Sequence, residues 1–261
     1  MADVFARWET KFILDAEMTR RAREVFAERL KPDPYFRQTI CNVYYDTPNF
    51  ELARRTLDHP PYREKIRMRS YGTPTADSKV YFEIKKKVDG VVYKRRATMT
   101  LREAEAFGRG EDIGRDSQIL RELAYTVKYH GLVPKIYLSY FREAYYEEGT
   151  DLRVTLDTDV RYRFDRLSLV EGDDGRDLLE EGVHLLEVKT KGGLPRWLLD
   201  LTGGMQCYPA RFSKYGKIYS GNFSELWGGV ATPGHMPLSL GDAEGEEIAA
   251  AFAAEGSESD V

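Results

Sequence analysis

Four basic residues at alternating positions, Arg63, Lys65, Arg67 and Arg69, constrain this chain more than any other feature, because Ile66 and Met68 stand between them. Side chains alternate between the two faces of a strand, so a strand over Tyr62 to Tyr71 carries one wholly cationic face. The pattern recurs. A strand over Lys79 to Val88 sets Lys79, Tyr81, Glu83, Lys85 and Lys87 against Val80, Phe82, Ile84 and Val88, and one over Val91 to Thr100 groups Lys94, Arg96 and Thr98. The Asp89-Gly90 pair between these two signals a tight hairpin. Asp151 to Arg163 aligns Arg153, Thr155, Asp157, Asp159 and Arg161 against Leu152, Val154, Leu156 and Val160, and His184 to Lys191 aligns Glu187, Lys189 and Lys191 against Leu186 and Val188.

One such strand reads as part of a half-solvated antiparallel sheet. The set reads differently. Like charges facing one another across strands are destabilising, and an ordinary wet face mixes signs, so repeated Arg and Lys on adjacent strands imply a compensating polyanion. If the charged faces turn inward, about eight strands leave a lumen narrow enough to be filled by side chains or by one extended ligand. The expected fold is therefore α+β, a closed antiparallel β-tunnel of about eight strands with helices packed outside. Arg supplies a planar fork for two phosphate oxygens and Lys a compact point charge. The net charge of −4 argues against a nucleic-acid binder driven by bulk positive charge, so an anion site must come from locally concentrated cations.

The remaining pattern predicts strands at Arg7 to Leu14, Thr39 to Tyr45 and Lys135 to Tyr146. Helices are expected at Ala16 to Lys31, stopped by Pro32 and Pro34, and at Phe50 to Leu57, Leu101 to Phe107, Asp116 to Tyr129, Arg196 to Thr202 and Ser213 to Phe223. One domain over residues 1–227 suits a chain of 261 residues. Residues 228–261 form an acidic, Gly- and Ala-rich tail expected to be disordered, with a marginal helix around Glu246 to Ala254. Cys41 and Cys207 fit no paired metal or redox spacing and are expected to be small buried hydrophobes; His59, His130 and His184 show no ligand spacing. No apolar run approaches the ~20 residues that span a bilayer and no leader is visible, so a cytoplasmic location without a membrane segment is expected.

With these residues in view the chain resembles the triphosphate tunnel metalloenzyme (CYTH-like) superfamily, and within it the VTC-type polyphosphate polymerases. The resemblance runs from about Arg7 to Phe223. It is carried by Glu9-Thr10-Lys11-Phe12, Tyr44-Tyr45-Asp46-Thr47-Pro48, Arg67-Met68-Arg69 with Tyr71-Gly72, Glu83-Ile84-Lys85, Lys94, Arg142, Arg153 before Thr155-Leu156-Asp157, Glu187-Val188-Lys189, and Phe212-Ser213-Lys214-Tyr215. It implies Lys11, Arg67, Arg69, Lys85, Lys94, Arg142, Arg153, Lys189 and Lys214 as phosphate ligands. Arg67, Arg69, Lys85, Lys189 and Glu187 are implied as the catalytic set, and Glu187 as the ligand of Mn²⁺ or Mg²⁺. The implied activity is transfer of the γ-phosphate of ATP to a growing polyphosphate, with ATP and inorganic polyphosphate or pyrophosphate as the partners. Tunnel hydrolases of this superfamily typically begin with Glu-x-Glu-x-Lys; here Arg7 replaces the first Glu, which removes a carboxylate and adds a cation. A tunnel triphosphatase or cyclase, and a non-catalytic module binding polyphosphate or inositol phosphates, remain open as alternatives.

Overall fold

The computed structural model describes residues 8–58, 60–89 and 91–226. The expectations for Arg7, His59, Gly90 and the segment 228–261, with its short helix, lie outside these residues. Eight strands pair in the order β1 (Trp8–Leu14), β9 (His184–Thr190), β7 (Arg153–Arg163), β6 (Val133–Tyr146), β2 (Lys31–Asp46), β3 (Tyr62–Tyr71), β4 (Lys79–Val88), β5 (Val91–Thr100), and a two-residue β8 (Arg176–Asp177) adds to β7. Every pairing is antiparallel. The sheet is curled without closing completely, because no backbone ladder joins β1 to β5 among the described residues. Side chains bridge the seam instead, with Glu9 of β1 lying 3.8 Å from Lys85 of β4. The outer edge of β1 is covered by a later segment, in which the Ala210 N–H donates to the Lys11 carbonyl at 2.8 Å. Covering an edge in this way removes a template for unwanted pairing.

The apolar parity sets lie on the convex face, where helices bury them. Phe12, Leu14, Val154, Leu156, Leu186 and Val188 pack beneath α1 (Ala16–Arg29) and α5 (Arg196–Gly204). Ile66, Met68, Val80, Phe82 and Ile84 pack beneath α3 (Leu101–Gly108) and α4 (Gln118–His130). Two helices depart from the expected arrangement. Tyr215, Ile218 and Tyr219 of α6 (Lys214–Gly221), with Ala53 of α2 (Glu51–Asp58), pack on Ile40, Tyr44, Ile136 and Leu138, which belong to the concave face. The sheet thus curls around α6 on its β2–β6 side. A four-residue helix, α7 (Phe223–Leu226), follows.

Two boundaries differ from the sequence pattern for identifiable reasons. β2 begins at Lys31 rather than Thr39 and runs through both prolines. Pro32 pairs with Tyr145 and a register shift follows before Arg37, so the prolines stand where the ladder is already irregular and needs no N–H from them. In β7 the register slips opposite Ser139 and Phe141, where Asp159 adopts φ 48°. A bulge exchanges the faces of everything beyond it. Val160 and Tyr162 therefore turn inward to α6, and Asp159 and Arg161, expected on the cationic face, do not join it. Arg161 pairs with Asp177 of β8 at 3.5 Å. Cys41 and Cys207 are buried free thiols, as expected, and burial pushes both thiols up, away from reactivity. No described helix is long and apolar enough to cross a membrane.

Candidate functional site: a cationic lumen with three anionic anchors

Three buried carboxylates organise the concave face. Glu83 of β4, 2% exposed, accepts from Arg67 Nε at 2.8 Å and lies 2.7 Å from Lys94 Nζ and 3.9 Å from Arg69 Nε. Arg69 in turn donates to Asn42 Oδ1 at 2.9 Å and to the Tyr140 hydroxyl at 3.1 Å, and Arg67 donates to the Tyr44 hydroxyl at 3.1 Å. Asp157 of β7, 0% exposed, receives a fork from Arg142, at 2.6 and 2.8 Å, and Lys214 Nζ at 2.5 Å. Glu187 of β9, 8% exposed, pairs with Lys189 and lies 3.8 Å from Lys11, which also pairs with Glu9 at 2.8 Å and donates to the Phe212 carbonyl at 3.1 Å. Strand parity explains why these groups meet: β1 and β9 place Lys11 opposite Glu187, and β3 and β4 place Arg67 opposite Glu83.

Burial opposes every one of these charges, and the balance of neighbours decides each outcome. Burial pushes Glu83 up, but Arg67, Arg69 and Lys94 overcome it and hold the carboxyl at about 2. Burial and Glu187 likewise push Glu9 up, while Lys85, Lys11 and Lys189 outweigh them and leave it below its ordinary range. Lysines without enough carboxylate move the other way. Lys65, whose hydrogen bond goes to Ser213 Oγ at 3.0 Å, falls to about 7 because burial is reinforced by Lys85, Lys11, Arg63 and Arg67. Lys94 falls to about 8, mainly through burial.

A pH dependence follows from these two lysines. An unfolded lysine binds its proton up to about pH 10.4, so between the folded and unfolded pKa values the unfolded chain holds more protons and stability rises with pH. Their contribution is least favourable below pH 7, grows through pH 7–8, and levels off near pH 10. A bound polyanion restores the protons. Calorimetry of inorganic tripolyphosphate binding at pH 8, in buffers of differing ionisation enthalpy, is expected to show net uptake of about one proton; no uptake would mean that these lysines stay charged in the empty lumen.

Of the nine phosphate ligands read from sequence, Lys11, Arg67, Arg69, Lys85, Lys94, Arg142, Lys189 and Lys214 come together on the concave face. Arg153 does not. Its side chain is 56% exposed at the rim and pairs with Asp33 at 2.9 Å. Lys65, which the alternation puts on the cationic face, lies inside with its Ser213 partner. The pattern also missed a buried positioning device. Asp46 accepts from the Leu52 and Ala53 N–H groups at 2.9 Å each, capping α2, and from the Tyr215 hydroxyl, while Tyr215 stacks on Tyr44 at 4.7 Å. This clamp fixes α6, whose N-terminal Ser213 and Lys214 reach the lumen. The side-chain pairing of Asp46 with Tyr215 across 169 positions leaves no local sequence signal, although both lie in motifs that carry the resemblance.

No cluster of three or more His, Cys, Asp or Glu side chains forms among the described residues. The oxygen donors that suit a hard divalent ion are Glu187, the nearby Glu9, and Thr155, which is paired in register with Glu187 and whose buried Oγ1 has no hydrogen-bond partner. This set fits an ion of the Mg²⁺ or Mn²⁺ type that takes its other ligands from substrate phosphates and water.

Among solved structures, a candidate adenylate cyclase from Vibrio parahaemolyticus matches at 10% identity and a TM-score of 0.43, covering 81% of this chain and 97% of that one. A candidate adenylate cyclase from Bacillus halodurans matches at 13% identity and a TM-score of 0.42, covering 88% and 94%. A candidate adenylyl cyclase from Hippeastrum, described as having a dominant triphosphatase activity, matches at 16% identity and a TM-score of 0.47, covering 82% and 95%. At these identities the likenesses carry no functional argument. No curated protein sequence matches the chain. The VTC domain family model, in contrast, matches residues 6–220, a span that contains every strand of the sheet and all three anionic anchors, and the chain belongs to the VTC domain family.

Proposed function

We propose that this protein is a metal-dependent polyphosphate polymerase that transfers the γ-phosphate of ATP to the end of a polyphosphate chain held in the lumen. The observation that carries the reading is the surplus of cations: the concave face gathers more than twice as many basic side chains as carboxylates, although the whole chain has a net charge of −4. Such a surplus, only partly relieved by depressed lysines in the empty lumen, suits an anionic ligand of matching length.

In the reaction, a terminal oxygen of the primer attacks the γ-phosphorus, a new P–O–P bridge forms, and the β–γ bridging bond breaks to release ADP. Arg67 and Arg69 clamp phosphate oxygens as forks, and Lys85, Lys189 and Lys11 take up the charge that spreads over the transferring group. This work is positioning and charge neutralisation. Glu187, with Glu9 and Thr155, would hold Mn²⁺ or Mg²⁺, which supplies further charge neutralisation on the phosphate oxygens when bound. The carboxylates are poor bases: Glu9 and Glu187 are held below their ordinary range, Glu187 against its burial by Lys189, Arg142 and Lys11. A hydrolase needs a base for its water, whereas a phosphate oxygen arrives already anionic.

Incubation with ATP and Mn²⁺ tests the proposal. The expected product is acid-stable polyphosphate with ADP released in step; steady orthophosphate release without polymer would give the site to a triphosphatase, and binding without turnover would make it a binding module.

A further inference from the structure

The two ends of the β3–β4 wall differ in chemistry. At one end Arg63 and Lys87 face each other across the ladder. At the other, two register positions beyond the Arg67 and Glu83 pair, Arg69 faces Tyr81, and the concave face ends in aromatics. Tyr71 meets Tyr81 edge to face at 5.7 Å and 73°, and the residue stays 45% exposed. The Arg96 guanidinium lies over the Tyr81 ring, 4.8 Å from its centroid, and forms no ion pair among the described residues. An exposed ring, a second ring bracing it and an uncompensated planar cation make a platform on which a flat heteroaromatic group stacks.

The spacing from that platform suits a nucleotide. From Tyr81 to Lys85 is four residues along one strand, about 13 Å at the rise of an extended chain. Arg69, Arg67 and Lys85 are reached in turn along that path, as phosphates extending from a nucleoside would meet them. Stacked Tyr125 and Tyr129 on α4, by contrast, lie on the convex side, away from these cations.

The geometry points to a base-stacking subsite at Tyr71, Tyr81 and Arg96, which makes this mouth the entrance for a nucleoside triphosphate and leaves the Arg63 and Lys87 end for the phosphate chain. The inference rests on the reading of the lumen as a triphosphate site and adds what selects the nucleotide. Phosphate contacts alone treat ATP and inorganic tripolyphosphate alike, and the platform is what separates them.

The test is equilibrium binding of the β,γ-imido analogue of ATP and of inorganic tripolyphosphate, in EDTA to prevent turnover, to the full chain and to its Tyr71→Ala and Tyr71→Trp variants. Tyr71→Ala is expected to weaken the analogue roughly tenfold, the loss typical of a base deprived of one aromatic partner, with tripolyphosphate unchanged; Tyr71→Trp restores the analogue. Equal weakening of both ligands, or of neither, overturns the subsite while leaving the lumen reading intact. If the unaltered chain binds neither ligand, in EDTA or with Mg²⁺ supplied, the triphosphate reading itself fails and this inference with it.

Discussion

Glu83→Gln lowers the thermal midpoint of the ligand-free protein by about 6–12 °C, a loss of about 3 kcal/mol for a domain of this size. The carboxylate is 2% exposed and serves Arg67, Arg69 and Lys94 together. Neutralising it leaves three cations facing one another in a space that water reaches poorly. Truncating one partner of a buried ion pair costs about 3–5 kcal/mol, and the lower end applies because the Lys94 side chain is 43% exposed and turns toward solvent. The same variant supplies its own control. An anion that enters the lumen replaces the missing charge, so saturating tripolyphosphate should raise the midpoint of Glu83→Gln more than that of the unaltered chain. Ligand at a hundredfold excess over its Kd contributes about 2.7 kcal/mol, enough to recover most of the loss. Equal midpoints for the two proteins without ligand would show that these cations do not depend on Glu83.

Much of this arrangement was legible in the alternation of charge along the chain. β3, β4 and β5 begin and end where the pattern places them, because a strand with basic residues on one face and Ile, Phe and Val on the other has only one way to sit on a core. The central cations follow from the same parity. What escaped it has a physical reason in each case. Beyond the bulge at Asp159, Val160 and Tyr162 meet α6 on the concave side, whereas Leu152, Val154 and Leu156 meet helices on the convex side. Both surroundings are apolar, so the pattern continues smoothly through a change of face. The seating of α6 is invisible for a similar reason: its apolar stripe suits either face, and the choice is made by Asp46 gripping Tyr215 from far away in sequence.

The family resemblance and strand parity together named the candidate phosphate ligands, yet only the packing separates those held by carboxylates from those that are not. Lys214 and Arg142 share Asp157, Lys189 and Lys11 share Glu187, and Arg67 leans on Glu83. Among the described residues Lys65 has no carboxylate partner, and its ammonium donates to the Ser213 hydroxyl. Charges of the first kind are positioned before the ligand arrives. A charge of the second kind is stored at the expense of the fold.

That distinction separates two substitutions of nearly equal size, Arg67→Met and Lys65→Met. Arg67→Met removes a guanidinium whose Nε and Nη2 both contact Glu83 at 2.8 Å and whose Nη1 is held by Tyr44 at 3.1 Å, so it loses a pre-positioned fork for phosphate and weakens the anchor. Turnover of ATP is expected to fall by about 10²–10³, the range seen when one preorganised charge-stabilising donor is removed, and the midpoint falls as well. Lys65→Met keeps the aliphatic stem among its neighbours and deletes an ammonium that burial and four nearby cations already push down to about 7. Its midpoint rises at pH 7, because repulsion is relieved and no carboxylate is abandoned, while affinity for tripolyphosphate drops. Opposite stability shifts with a shared loss of anion binding are the signature of a lumen that keeps cations for a ligand. A midpoint that falls in both variants would mean that Lys65 supports the fold as Arg67 does.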